Sequence, residues 1–177
     1  MVCTGIFPGR GRSVWRDWYT HEVVDAAISK NTTLSAPLGH INVHVRDGSV
    51  LLLHAEPAYT IEDTRDGPFA LLVSQAKDGY AFGTAYIDDG ETVPPTPNST
   101  VTFTARKGAV TISSSGSFHI SQKLETVTVL GASTAKPKTV TVNGAKVSKF
   151  QFNAGTEELV ISGVEIDLNG HTTVVWE

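Results

Sequence analysis

The acidic residues Asp88, Asp89 and Glu91 form the tightest cluster of chemically capable side chains in this 177-residue sequence. Paired carboxylates can hydrolyse glycosides, and clustered carboxylates can bind calcium. Asp-Asp-Gly is also ordinary turn chemistry between two strands. The alternating oxygen ligands of an EF-hand loop, which end in a glutamate at the twelfth position, are missing. The cluster therefore indicates a turn, and we expect neither catalysis nor a metal site there.

The six histidines and the single cysteine lack the spacing of a metal site or a nucleophile site. On a strand, His40 and His44 would lie on one face but about 13 Å apart, at ~3.3 Å per residue. Because Cys3 is the sole cysteine, an internal disulfide and a cysteine-based zinc site are excluded, and its place near a fraying terminus argues against a catalytic thiol. Neither a Gly-x-Ser-x-Gly elbow nor a phosphate-binding loop is present. We expect no catalytic residue, no metal and no cofactor.

The composition describes a weakly acidic chain that can form a hydrophobic core. Hydrophobic residues make up 40% and charged residues 18%, with a formal charge of −4 and a pI near 5.8. A nucleic-acid partner is disfavoured because phosphate contacts need clustered Lys and Arg. No apolar stretch reaches the ~20 residues of a membrane span. The first residues also lack the basic start and apolar run of a signal peptide.

Two sequons match the acceptor for N-glycosylation, at Asn31 and at Asn98. Such triplets fit surface loops of a secreted protein. They also arise by chance in a chain rich in Thr and Ser, so the sequence leaves both interpretations open.

Alternation of apolar and polar residues, typical of a half-buried strand, begins with Ile41, Val43 and Val45. Asp47-Gly48 then predicts a tight turn. The continuous apolar run 50–53 that follows is typical of a strand covered on both faces. We expect these two strands to form a hairpin, which needs further elements to pack on.

Nearly every segment after residue 68 has a strand pattern. Short β-branched or alternating runs are separated by turn residues, and Asn143-Gly144 is the strongest hairpin signal among them. No amphipathic helix of useful length is present. Two clusters of helix and strand breakers, at 55–58 and 65–68, mark the best candidate boundary. These patterns predict an all-β protein built as an antiparallel sandwich.

Three aromatic residues, Trp15, Trp18 and Tyr19, cluster near the start of the chain. Flat rings of this kind can stack on sugars. They are also common anchors of a core or an interface in small β domains, and we favour this second interpretation.

A series of motifs runs from about Ile6 through almost the whole chain: Phe7-Pro8-Gly9, Trp15-Arg16-Asp17-Trp18-Tyr19-Thr20, Ala36-Pro37-Leu38-Gly39-His40-Ile41-Asn42-Val43-His44-Val45-Arg46, Glu56-Pro57-Ala58, Tyr86-Ile87-Asp88-Asp89-Gly90-Glu91, Val127-Thr128-Val129-Leu130-Gly131 and Thr139-Val140-Thr141-Val142-Asn143-Gly144. In order and spacing they resemble the C-terminal portion of glycoside hydrolase family 31. The resemblance is to fungal α-glucosidases and, more distantly, to maltase-glucoamylase and sucrase-isomaltase.

This resemblance implies two consecutive antiparallel β-sandwich domains, a proximal one at 1–63 and a distal one at 64–177. In the family they follow a (β/α)₈ barrel that carries the catalytic aspartates, in motifs that this sequence does not contain. The resemblance therefore transfers no catalytic residue to this chain and implies that it cannot hydrolyse a glycoside alone. It also implies a secreted protein.

The sequence departs from the family pattern at the predicted hairpin. Asp47-Gly48 replaces two glycines. The segment 51–57 keeps the final proline of the family pattern Leu-Pro-x-Gln-Glu-Pro but lacks the first one, and it carries one inserted residue. His21 stands where the family commonly has glycine. The changed turn and the lost proline would alter the edge that faces the barrel in the family. Residues 1–4 do not resemble the family.

Three functions compete on this basis: a non-catalytic module of an α-glucosidase that needs a separate barrel chain, a free-standing lectin-like protein, and a structural protein without a ligand. We expect a homodimer formed through an apolar surface, with self-association residues Trp15, Trp18, Val50, Leu51, Leu52 and Leu53. For a glycan ligand, residues of suitable chemistry are Tyr80, Tyr86, Asp88, Asp89 and Trp176.

Overall fold

The computed structural model describes residues 1–9, 11–26, 28, 30–93, 97–132 and 136–177. Strands account for 49% of the described residues and helix for 4%, which confirms the all-β prediction. The elements in chain order are β1 (Val2–Gly5), β2 (Trp15–Asp17), β3 (Thr32–Ser35), β4 (His44–Arg46), β5 (Ser49–His54), α1 (Ile61–Asp66), β6 (Phe69–Ser74), β7 (Ala81–Ile87), β8 (Ser99–Arg106), β9 (Ala109–Gly116), β10 (Lys123–Leu130), β11 (Val140–Val142), β12 (Ala145–Lys146), β13 (Phe150–Asn153), β14 (Glu158–Asp167) and β15 (Thr172–Trp176).

Eleven strands form one sheet in the order β12-β11-β15-β9-β8-β7-β5-β6-β10-β14-β13. Most pairs are antiparallel, whereas β6 with β10 and β5 with β7 run parallel. Alternate residues of these strands face a single core, which includes Phe103 and Ile112 from one half of the sheet and Leu71 and Val129 from the other. Because both halves contribute to one core, the sheet curls over itself and its two halves pack face to face, as in a sandwich.

The two halves of the sheet meet at a corner where β7 passes β5. These two strands share a single ladder position, Ser49 opposite Phe82, and the Phe82 N–H donates to the Gly48 carbonyl at 3.1 Å. Gly83 allows this approach, since a Cβ atom at this position would lie 2.0 Å from the Val50 carbonyl oxygen. Glycine within a strand commonly marks such a bend or close backbone contact.

Among the described residues before β5, four strands form two small antiparallel sheets, β1 with β3 and β2 with β4. They are joined to the large sheet by a second apolar cluster of Val45, Leu72 and Leu130, against which Trp18 and Leu53 pack. This cluster covers the outer face of β6 and β10 at one end.

A buried arginine also joins this N-terminal region to the large sheet. Arg16 is 4% exposed, and its guanidinium donates to the His21 carbonyl at 3.1 Å, to the Thr156 carbonyl at 2.6 Å and to a Glu157 carboxylate oxygen at 3.1 Å. The His21 ring contacts the Glu158 carboxylate at 3.0 Å beside it. Because its hydrogen-bonding groups are matched by three acceptors, the buried guanidinium is well accommodated.

The predicted hairpin around Asp47-Gly48 is only partly present. The turn forms, with Gly48 at φ 77°, but the first strand is limited to His44–Arg46. Within the described ranges, β4 pairs with β2 and β5 pairs with β6 and β7, so β4 and β5 do not pair with each other. The hairpin prediction was wrong because both strands have distant partners.

The run 50–53 is not covered on both faces, as the sequence suggested. Val50 is 4% exposed and Leu51 is 38% exposed, and Leu52 and Leu53 are half-buried. The large sheet also crosses the predicted boundary at residue 63. Strand β5 lies before this boundary and β6 lies after it, and the two strands pair at six residue positions. The division into 1–63 and 64–177 stays a prediction.

Helix α1, with six residues, is the one helix in the described parts of the chain. It is not long and apolar enough to cross a membrane.

Candidate functional site

A cleft of about 420 Å³ opens at one end of the sandwich, beside the loop that follows β7. Its rim includes Tyr86, Asp88 and Asp89, which the sequence had placed together as candidate glycan residues. Its apolar wall includes Phe69 and Phe118, which belong to the main core or pack against it. A concave apolar site with a few polar groups at the rim is the usual form of a small-molecule site.

The loop at the rim is held in shape by its own carboxylates. One Asp88 oxygen accepts the Gly90 N–H at 2.8 Å, and Asp89 accepts the N–H groups of Glu91 at 3.1 Å and Thr92 at 3.0 Å. The Thr92 hydroxyl donates to the second Asp89 oxygen. This hydroxyl contact, followed by the two backbone N–H groups, holds the pKa of Asp89 below its usual value. Asp89 therefore shapes the loop and has little capacity left for a ligand.

Helix α1 forms the opposite side of the cleft. The helix begins at a capping interaction, in which the Asp63 N–H donates to the Thr60 hydroxyl oxygen at 3.1 Å and that hydroxyl donates to the Asp63 carboxylate at 2.7 Å. Arg65, in its last turn, reaches over the loop and donates to the carbonyls of Asp89 at 3.4 Å and Gly90 at 3.5 Å. Arg65 thereby connects the two sides of the rim.

Other polar residues of the cleft were not predicted from the sequence, and they include His54, Arg65, Asp66 and Gln122. The Gln122 side chain donates to the Arg65 carbonyl at 2.7 Å, and the His54 ring lies 5.2 Å from the Phe69 ring. A signal for part of this group existed in Thr60-x-x-Asp63, which has the spacing of a helix N-cap. Nothing local to Gln122 or His54 indicates that they meet α1.

Tyr80 and Trp176, the other two candidate glycan residues, lie away from this cleft. Tyr80 is 38% exposed and stacks under the Arg106 guanidinium, 5.4 Å from its ring centre, before the opposite end of β7. Trp176 is 3% exposed within the main core. Since a buried ring has no open face for a sugar, we do not include Trp176 in the proposed site.

Most of the residues predicted to drive self-association have contacts within the chain. Trp15 packs edge-on against Phe7, with ring centres 5.6 Å apart, and donates to the Pro8 carbonyl at 3.0 Å. Trp18 and Leu53 pack on the second apolar cluster. Val50 is buried and Leu52 packs against the main core, which leaves Leu51 as the most exposed of the six.

The described residues include no group of three or more His, Cys, Asp or Glu side chains that could hold a metal ion. Of the two sequon asparagines, Asn31 is exposed in the loop before β3, and Asn98 is half-buried before β8. The carbonyl of Asn98 accepts the N–H groups of Ser117 at 2.8 Å and Phe118 at 3.3 Å.

Comparison with known proteins identifies similar sequences among fungal enzymes. No protein-family model matches the chain. An α-glucosidase of Schizosaccharomyces pombe is 43% identical over 161 residues, which are 91% of this chain and 16% of that protein. An α-glucosidase of Aspergillus niger is 42% identical over 164 residues, with the same coverage of 91% and 16%.

This chain is a homologue of the C-terminal region of glycoside hydrolase family 31 α-glucosidases. It spans about 16% of the length of these relatives. The fold agrees with this assignment, because the glucosidase II α subunit, in a structure described as bound to Glc1Man2, superposes on 99% of the chain with a TM-score of 0.79. That match covers 21% of the solved chain at 20% sequence identity. The resemblance to family 31 is thereby confirmed.

Proposed function

We propose that this family 31 homologue is a non-catalytic β module that docks against a catalytic barrel and supports it structurally. The observation that carries this proposal is a concentration of exposed apolar side chains in the N-terminal region. Most of the exposed large hydrophobic side chains among the described residues precede residue 44, and they include Leu38 at 91%, Ile41 at 75% and Val2 at 69%. A concentration of exposed apolar side chains of this kind marks an association surface.

The rest of a family 31 chain is the occupant that best fits this surface. The relatives are about six times longer than the aligned region, so in each of them the same module is attached to a large additional body. The resemblance noted above places a catalytic barrel immediately before it. A barrel on a separate chain can therefore be captured through the same contacts.

Co-expression with a barrel supplies the test. The S. pombe α-glucosidase without its own C-terminal region would be expressed with this chain, and complex formation measured by sedimentation velocity together with hydrolysis of p-nitrophenyl α-glucoside. We expect a 1:1 complex and recovery of hydrolysis, and no hydrolysis by the isolated chain. Leu38→Ser combined with Ile41→Ser should weaken the complex at least tenfold, since it removes two of the most exposed apolar side chains.

Val93→Ser is the matched control, because Val93 is 82% exposed but lies in the loop after β7. An equal loss with Val93→Ser, or no complex at all, would contradict docking through the N-terminal surface. A stable homodimer of the isolated chain, abolished by the Leu38 and Ile41 changes, would instead identify a second copy as the occupant. Hydrolysis that copurifies with the chain would contradict a non-catalytic role.

A carbohydrate-associated role is the second candidate, and the cleft at the end of the sandwich favours it. Tyr86, 63% exposed, and Asp88 meet there beside an apolar wall. The combination of an open aromatic ring and a carboxylate is suited to a sugar. The lectin-like alternative depends on this cleft alone, and the two roles can coexist because the docking surface and the cleft use different residues.

A further inference from the structure

Tyr86 is the most exposed aromatic residue in the lining of the cleft. It is 63% exposed on β7, whereas Phe69 in the cleft wall is 7% exposed. The next exposed aromatic on the same face of β7 is Phe82, four residues earlier and outside the cleft lining. An aromatic side chain with an apolar face and a polar tip is suited to a ligand that is itself apolar on one face and hydroxylated at its edge.

Polar groups beside Tyr86 retain hydrogen-bonding capacity. Asp88 uses one oxygen for the Gly90 N–H, and its other oxygen has no partner among the residues that the structure describes. The Asp66 carboxylate likewise has none within the described ranges, and both carboxylates line the cleft. The Arg65 guanidinium makes only long contacts, at 3.4 and 3.5 Å, so it can supply donors at the same edge.

The charge of the cleft determines which class of ligand fits. Three carboxylates, from Asp66, Asp88 and Asp89, face one guanidinium, from Arg65. Phosphorylated and acidic ligands would meet this negative excess and are disfavoured. A neutral ligand rich in hydroxyl groups can donate to the carboxylates and accept from the guanidinium, and a cleft of about 420 Å³ is within the usual range for small ligands.

We propose that the cleft between α1 and the loop 88–92 binds one end of a neutral hexose oligosaccharide. In this site Tyr86 contacts the apolar face of a sugar ring. Asp88 and Asp66 accept hydrogen bonds from sugar hydroxyl groups, and Arg65 donates a hydrogen bond to a hydroxyl or ring oxygen. Asp89 holds the loop and does not contact the sugar. This inference rests on the carbohydrate-associated role proposed above.

The test is a titration of the purified chain with maltotriose, followed by amide chemical shifts in two-dimensional NMR and by calorimetry. We expect saturable binding, with the largest shifts at residues 65–66, 86–92 and 121–122. Glucose 1-phosphate, which adds two negative charges, should bind at least tenfold more weakly. Tyr86→Ala should raise the Kd at least tenfold, and Asp88→Asn about tenfold, because a hydrogen bond to a charged group is lost.

Tyr80→Ala is the matched control, because Tyr80 is also exposed and adjoins the same strand at its other end. Its Kd should equal that of the wild type. Equal losses for Tyr80→Ala and Tyr86→Ala, shifts that map away from the cleft, or absence of saturable binding would overturn the proposal. Each variant should retain the wild-type spectrum elsewhere, which separates lost binding from misfolding. Binding to the barrel chain should be unchanged in Tyr86→Ala, so failure of this site and failure of docking are distinguishable.

Discussion

Replacing Gly83 by alanine should destabilise the protein more than any neutral surface change, because of the contact at the corner of the sheet. The new Cβ would lie 2.0 Å from the Val50 carbonyl oxygen, 2.8 Å from the Val50 carbonyl carbon and 3.0 Å from its Cβ. To bring the oxygen contact even to 3.0 Å, β5 and β7 must separate by about 1 Å at their single shared ladder position. The obstacle is backbone, so a change of rotamer cannot relieve it.

Overpacking of this kind costs about 1–3 kcal/mol, and a backbone clash belongs at the upper end of that range. Alanine recovers about 0.4–1 kcal/mol by restricting the unfolded chain. The net expectation is a loss of about 2 kcal/mol in the free energy of unfolding, or roughly 4–8 °C in Tm for a chain of this size. Urea denaturation followed by tryptophan fluorescence would measure it, since Trp176 is buried in the same core.

Gly170→Ala is the matched control, because a Cβ there would meet nothing within 4 Å and the backbone does not have positive φ. Its free energy of unfolding should stay within about 0.5 kcal/mol of the wild type. If Gly83→Ala unfolded at the wild-type urea midpoint with an unchanged slope, the assignment of Gly83 as the residue that permits the corner would be refuted.

Two further predictions concern the surface of the molecule. The Asn169 N–H, followed by the Lys123 ammonium at 2.9 Å, holds the pKa of Asp167 well below its usual value. Because the pKa of Asp167 is depressed in the folded protein, its stabilising contribution is present above about pH 4 and is lost as the pH falls further. Asp167→Asn should therefore reduce the loss of stability on the acid side. The change should be less than about 1 kcal/mol, because the ion pair is exposed. In a secretory yeast host, Asn31 should carry an N-glycan at higher occupancy than Asn98, because Asn31 is exposed and Asn98 is half-buried. Mass spectrometry before and after endoglycosidase treatment would measure the occupancy of each site, with Asn31→Gln as the control. Higher occupancy at Asn98 would contradict the prediction.

The strands with clear alternation were predictable because their pairing is local. Val101 and Phe103 in β8 and Val110 and Ile112 in β9 are all fully buried, as the alternation requires. Asn143 and Gly144 both have positive φ, at 50° and 84°, and join β11 to β12 as the dipeptide predicts. In these segments the turn and the side-chain period are sufficient to define the structure.

The hairpin at Asp47-Gly48 was not predictable in the same way, because a turn does not determine which strands pair. β5 has its main partner in β6, across the breaker clusters and α1, and the sequence pattern contains no information about that partner. The cleft was predictable only in part for a related reason. Asp88 and Asp89 are neighbours of Tyr86 along the chain, whereas Arg65 and Gln122 reach it only through the folded sheet.

Trp176 shows the opposite error. Its type suggested a sugar platform, but the alternation of β15 places it on the same face as Thr172 and Val174, and all three are buried. The alternation of β15 was present in the sequence, and it predicts the burial of Trp176 better than the chemical type of the side chain does.

The buried Arg16 has a consequence for the order of events during biosynthesis. Two of its three acceptors, Thr156 and Glu157, are 140 and 141 residues further along the chain. At typical rates of translation, these partners are synthesised on the order of 10 s after Arg16. The parallel pairing of β6 with β10 imposes a shorter delay, because the paired residues, such as Leu71 and Val127, lie closer together along the chain. The N-terminal region therefore cannot complete its contacts until residues 156 and 157 have been synthesised, and a truncation before β14 would leave Arg16 with the His21 carbonyl alone of its three acceptors.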